Sequence, residues 1–203
     1  MAFTDFKSIA QVQQEYNIKY QEADFIDLVD FVLSEVFLKE FEFNQDYIDV
    51  FSSEASRCEN VIYPIIREVY KGFIDNYTLW SHKSIQYDDK LTGTPDYLIS
   101  TKSELGKTVL GLPILVVVEA KQNNFIQGWG ECLAELVAVQ KMNQNEANCI
   151  YGIVTDGELW QFGKLQFNLF TKHKARIAVT DLNKIFSAIQ YLLMKIENHT
   201  EAS

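Results

Sequence analysis

The run Ile114-Leu115-Val116-Val117-Val118 constrains the fold of this chain more than any other segment. Four of its five residues are β-branched, and such a run suits a buried strand in a pleated sheet. It ends abruptly in Glu119-Ala120-Lys121. Gly111 and Pro113 interrupt the apolar residues before it, and the stretch from Val109 to Val118 falls far short of the ~20 residues that span a bilayer. No membrane span and no signal peptide are expected. Further strands are predicted at Ser84–Tyr87, Asp96–Ser100, Cys149–Thr155, Leu159–Phe162 and Phe167–Phe170, with a turn at Asp156-Gly157.

Helical periodicity surrounds these strands. Phe25, Leu28, Val29, Val32 and Val36 predict an amphipathic helix over roughly residues 22–41. Ser52 or Ser53 could cap a second helix with Val61, Ile62, Ile65, Ile66, Val69 and Phe73 on its apolar side. Pro64 removes a helical hydrogen bond there, so this helix is bent or starts late. Leu133, Leu136, Val137 and Gln140 mark a helix of about three turns. Asp181 caps a last helix running to Glu197. Helices, three strands, helix, strands and helix make an α/β chain.

Charge is unevenly placed along the 203 residues, whose formal total is −10. Residues 1–60 hold 13 acids against 4 bases, a net of −9. Residues 160–195 hold six bases against Asp181 alone. The acidic total argues against a polycation that coats nucleic acid, but not against a site that handles phosphate through a cation. Cys58, Cys132 and Cys149 lie far apart without metal-ligand spacing, which fits free thiols in a reducing cytoplasm.

The chemistry-bearing residues are Asp96, Glu119 and Lys121. An acid two residues before a lysine is cheap, with about two or three copies expected by chance in such a chain. The copy at Glu119 differs by ending the buried strand and by following the Pro95-Asp96 pair that opens the previous one. Strand alternation sends Glu119 and Lys121 to one side and Val118 and Ala120 to the other. Antiparallel pairing of strand 96–100 with strand 114–120 would set Asp96 beside Glu119. Two carboxylates at such range need a cation, and Mg²⁺ favours a few carboxylates completed by water and phosphate oxygens. Lys121 would add a donor for an attacking water or a scissile phosphate. A surface salt bridge at a strand end is the alternative.

Gly93-Thr94-Pro95-Asp96-Tyr97-Leu98 followed by Val116-Val117-Val118-Glu119-Ala120-Lys121 resembles the PD-(D/E)XK nuclease superfamily. Glu54-Ala55-Ser56-Arg57 running to Pro64, and Tyr151 to Gly157 with Trp160 and Phe162, are similar to type I restriction subunit nuclease domains. The resemblance covers roughly residues 52–165. It implies a restriction-endonuclease-like α-β-β-β-α-β core with a mixed sheet and Mg²⁺- or Mn²⁺-dependent hydrolysis of DNA phosphodiesters. Asp96 and Glu119 would bind metal and Lys121 would be catalytic. The first helix would supply a further metal-binding Glu. Glu54 and Glu59 sit on opposite flanks of its apolar side, and Glu54 matches the family's context. Glu131 stands where relatives carry a Gln on the second helix.

These readings describe a single domain: an acidic helical extension over residues 1–50, then a nuclease-like core with a C-terminal helix over 51–203. Two function classes fit, a metal-dependent nuclease and a catalytically inactive nuclease-fold module that binds a protein partner or nucleic acid. Phe25, Phe31, Phe37, Phe41 and Phe43 exceed what one packed face needs, so the N-terminal helices are also a candidate homodimer surface. Lys172, Lys174 and Arg176 would share one face of an extended segment, either for a phosphate backbone or as guards of an edge strand. Trp129 is read as a packing residue or a base-stacking one. His82, His173 and His199 are read as surface histidines.

Overall fold

The computed structural model of the protein describes residues 2–122 and 124–200, with side chains to residue 197. Asn123 and the side chain of His199 lie outside the described residues. In chain order the elements are a 3-10 turn at Phe3–Asp5, α1 (Ile9–Tyr16), β1 (Lys19–Ala23), α2 (Glu35–Tyr47), α3 (Glu54–Arg57), a π-helical turn at Cys58–Ile62 and α4 (Tyr63–Tyr70). Strands β2 (Tyr77–Ser81), β3 (Ile85–Gln86), β4 (Thr92–Gly93), β5 (Tyr97–Thr101) and β6 (Ile114–Ala120) follow, then α5 (Phe125–Asn143). The chain closes with β7 (Ile150–Thr155), β8 (Leu159–Gln166), β9 (Leu169–His173), β10 (Ile177–Ala178) and α6 (Leu182–Thr200).

The β-branched run does form a buried strand. All seven residues of β6 are buried, in the interior of an eight-stranded mixed sheet ordered β1-β9-β8-β7-β6-β5-β2, with β10 paired to β8. β6 runs parallel to β7 and antiparallel to β5. The parallel pair requires a crossover, which α5 supplies. Strand alternation then divides the apolar residues into two cores. Val116, Val118 and Ala120 face a layer containing α2, α4 and α6, whereas Ile114 and Val117 face α5 and α1. A register shift between Ile99 and Ser100 makes Leu115 the extra residue, which puts it on the same side as Val116. The protein is therefore a mixed α/β fold, a large sheet flanked by helices. Among the described residues no helix is long and apolar enough to cross a membrane.

Residues 1–50 differ from the expected helical extension. β1 pairs in parallel with β9 and completes that end of the sheet, and Phe3, Phe6, Val12 and Ile18 join the core under α5. The helix predicted over 22–41 begins only at Glu35, where the Ser34 hydroxyl accepts the Phe37 N–H at 3.1 Å. Before it the chain is an extended strap. Val29 N–H donates to Ser187 Oγ at 2.6 Å, and Phe25 N–H donates to His173 Nδ1 at 3.2 Å. Phe25, Phe31, Phe37 and Phe41 pack into the core, and Phe43 alone of the five is exposed. The phenylalanine excess that marked a dimer surface is thus largely used inside the protein.

Pro64 is accommodated by the π-helical turn, which lets it fall in the first turn of α4. The Asn60 carbonyl, four residues earlier, accepts Asn44 Nδ2 at 3.4 Å instead. The predicted strand at Ser84–Tyr87 shrinks to β3, which pairs only with β4 in a separate hairpin. The missing third strand is β2, paired with β5. β9 lies between β1 and β8, so Lys172 does not guard an edge.

Candidate active site

Strand pairing brings the sequence-predicted acids together. Tyr97 opposes Val118, so the next residues outward, Asp96 and Glu119, face each other at the open end of the β5–β6 pair. Asp96 Oδ2 accepts the Ala120 N–H at 2.7 Å, and its own carbonyl accepts the His82 N–H at 2.8 Å. His82, at φ 48°, holds Nδ1 3.7 Å from Asp96 Oδ1. His82 therefore belongs to this groove; in sequence it carries no spacing signal.

Glu119 points toward α5, as alternation requires. Its Oε1 lies 2.8 Å from Lys121 Nζ, and Glu131 Oε2 lies 3.1 Å from the same ammonium. Gln127 Nε2 donates to Glu131 Oε1 at 2.6 Å. The polar residue facing this cluster from α5 is thus Glu131 itself. Gly128 permits the close packing, because a Cβ there would meet Lys121 Cγ at 3.0 Å and Val154 Cγ1 at 2.8 Å.

One helical turn beyond Glu131, Glu135 is buried against Glu119, and its Oε2 has no hydrogen-bond partner. Sequence reasoning missed Glu135. A signal exists: Gln127, Glu131 and Glu135 recur every four residues on a helix whose other inward residues are apolar. The cluster holds Asp96, Glu119, Glu131 and Glu135 against the single ammonium of Lys121. Burial, then the Asp96 charge, pushes Glu119 up to about 8 despite Lys121. Burial, then the Glu119 and Asp96 charges, holds Glu135 well above the usual carboxylate range. Burial also raises Asp96, against the Ala120 N–H and Lys121. Burial by itself would lower Lys121, but Glu119 and Glu131 outweigh it and keep the ammonium charged.

The helix carboxylates border the same centre. A groove of roughly 440 Å³ is lined by Glu54, Cys58, Glu59, His82, Asp96 and Tyr97 among others. Glu54 Oε2 accepts the Gln122 N–H at 3.3 Å, and its charge raises Asp96. Glu59 lines the groove with no comparable tie to the strand end. Arg57 fixes this end of α3: it is buried, donates to the carbonyls of Asp156 at 2.9 Å and Phe51 at 3.2 Å, and covers the Phe51 ring.

Among the described residues no three His, Cys, Asp or Glu side chains are grouped so as to hold a metal ion by themselves. The donors present are carboxylate oxygens, one of them orphaned, in an electrostatic excess that a cation would relieve. That set suits Mg²⁺, which takes one or two carboxylates and keeps water or phosphate for the rest, and does not suit a closed zinc cage.

Other expected residues fall elsewhere. Trp129 is buried, donates from Nε1 to Gln161 at 2.8 Å and packs against Phe170, so it is a core residue. Gln140 donates to the Phe167 carbonyl, far along α5 from Lys121. His173 is buried and accepts the Phe25 N–H, which corrects its reading as a surface histidine. Burial lowers its pKa. The three cysteines are free.

No protein-family model matches the chain, and no curated protein matches it. Among solved structures the chain is similar to the type IIG restriction endonuclease BpuSI, with 15% identity and a TM-score of 0.45. The match covers 74% of this chain and 17% of that endonuclease.

Proposed function

We propose that the protein is a metal-dependent nuclease of the PD-(D/E)XK type, hydrolysing phosphodiester bonds of DNA. The observation that carries this reading is the convergence of Asp96, Glu119 and Lys121 at one strand end, inside an uncompensated carboxylate cluster. The element order supports it too: α4, β2, β5, β6, α5 and β7 follow the α-β-β-β-α-β order of the restriction-endonuclease-like fold, with the β3–β4 hairpin inserted.

Asp96 and Glu119 would hold Mg²⁺ or Mn²⁺, with Glu54 at the groove wall. When bound there, such an ion neutralises the acids and polarises a phosphate oxygen. Lys121 has three N–H donors. Glu119 and Glu131 take two, which aims the ammonium and leaves one for an attacking water or a phosphate oxygen. Gln127 steadies Glu131, and Arg57 steadies the helix that carries Glu54.

Titration calorimetry and cleavage of linear and circular DNA test this reading together. Mg²⁺ or Mn²⁺ should bind to the wild type, and Asp96→Asn and Glu119→Gln should remove that heat. Lys121→Ala should reduce cutting by about 10²–10³-fold, the usual loss for one preorganised donor, in a protein that still folds. Equal cutting by wild type and Lys121→Ala would overturn it. The formal charge of −10 favours a second reading, a non-catalytic module of the same fold that binds protein or nucleic acid. Absence of both metal heat and cutting would select that one.

A further inference from the structure

A second cavity opens beside the first turn of α5, on a different side of that helix from Lys121. Its volume is roughly 400 Å³. Phe125, Ile126 and Trp129 form one wall, Gln161, Lys172 and Arg176 another, and Ser8, Ile9 and Ala10 at the start of α1 close it. Three features of this cavity point the same way.

The first is the α1 N-terminus. Ser8 is its cap position, yet the Ser8 side chain accepts no hydrogen bond from the first turn, so those N–H groups lack a side-chain acceptor. Gly130 fixes the turn in place: a Cβ there would meet Ser8 N at 2.5 Å and Phe6 O at 2.6 Å. The backbone before α1 therefore lies directly on α5, and the helix start faces the cavity. The second feature is Gln161, which is only 2% exposed. Its Oε1 accepts from Trp129, and its Nε2 donates to none of the described residues, which leaves that donor to the cavity it lines. The third is a pair of cations. Lys172 Nζ stands 5.4 Å from the Trp129 ring centre, and neither Lys172 nor Arg176 forms an ion pair among the described residues. Burial, then the neighbouring Arg176 charge, lowers Lys172, against the charge of Glu22, its cross-strand partner on β1.

Helix N–H groups, a buried amide and two cations make a donor-only cavity beside an apolar shelf. We propose that the α1–α5–β9 cavity binds one backbone phosphate of a nucleic acid strand, through Lys172, Arg176, Gln161 and the first turn of α1. The proposal rests on the nuclease reading for its partner. It adds a second anchor, on a different side of α5 from Lys121.

Fluorescence anisotropy with a labelled DNA duplex, in EDTA so that nothing is cut, tests it. The full-length wild type, Arg176→Ala and Lys172→Ala/Arg176→Ala should be compared across a salt series. The double variant should bind on the order of tenfold more weakly, and its plot of log affinity against log salt should be shallower by about one, the release expected for one phosphate. Arg176 is exposed, so Arg176→Ala keeps the test sound if the double variant melts early. Unchanged affinity and slope in both variants would overturn the proposal. So would inorganic phosphate binding that needs Lys172 and Arg176 while DNA binding does not, since the cavity would then serve a free anion. Cutting that persists with unchanged DNA binding would sink this site and spare the nuclease reading. DNA binding that depends on both residues, without any cutting, would do the reverse.

Discussion

Arg57 and Glu119 are both ionisable and both buried, yet the protein treats them oppositely. Around Arg57 the surroundings are neutral and complementary: two backbone carbonyls accept its N–H groups, an aromatic ring covers its face, and only Nε lacks an acceptor. Around Glu119 the surroundings are like-charged. Asp96, Glu131 and Glu135 crowd it, and Lys121 is the single cation. A charge buried for stability is given partners of matching sign and geometry. A charge buried with its own kind is held at a standing disadvantage, which folding alone does not explain. On the proposed reading, the contrast separates a structural charge from a functional one.

The sharpest way to break this comparison is to remove the satisfied charge. Arg57→Met would leave the Asp156 and Phe51 carbonyls without these donors, at about 1–3 kcal/mol each, so urea unfolding should show a loss of about 2–6 kcal/mol. Divalent-metal heat should persist in the folded variant, though weaker if α3 shifts Glu54. A loss of metal binding with full stability would reverse the assignment of roles.

The unsatisfied cluster makes a pH prediction of opposite character. In EDTA, Glu119 keeps its proton up to about pH 8 in the folded protein but loses it near 4.5 in the unfolded chain. Between those values the native state binds more protons than the unfolded one. The stability from this group is therefore fully present below about pH 4.5 and lost as pH rises through 8, with a slope of at most ~1.4 kcal/mol per pH unit. Glu119→Gln should flatten that slope in denaturant midpoints measured from pH 5 to 8. A slope that survives the substitution would place the shifted proton on another acid.

The two regions were not equally legible in the sequence. The Asp96–Glu119 meeting follows from strand alternation and antiparallel register, both written in the β-branched run and in Pro95-Asp96. What escaped was set by tertiary contacts. Leu28, Val32 and Val36 sit at helical spacing, yet Val32 is 90% exposed, because the strap over residues 24–34 is pinned by Ser187 and His173 from distant elements. The actual helix announces itself by Ser34, a capping residue that a count of apolar periodicity overlooks. β2 escaped because Tyr77-Thr78-Leu79-Trp80 lies close after a strong helix. Of the α1–α5–β9 cavity only the cations Lys172 and Arg176 were legible, because its other walls meet through one close tertiary approach at Gly130.

Glu135 gives the finest test of the comparison, and the smallest expected effect. Burial, then the Glu119 and Asp96 charges, favour its protonated form, which an amide mimics more closely than a buried carboxylate does. Glu135→Gln preserves shape and polarity. It should change stability at pH 7 by less than about 1 kcal/mol, within the range of a near-isosteric buried swap. Glu135→Leu removes the polar group together with its unpartnered oxygen and should be no worse than neutral for stability. If the acid exists only to fold the protein, both variants should also leave metal binding unchanged. If it belongs to the cluster, the leucine variant should weaken Mg²⁺ or Mn²⁺ binding while holding or raising the melting temperature. A destabilised Glu135→Gln with intact metal binding would move Glu135 to the side of Arg57, among the charges that the fold itself requires.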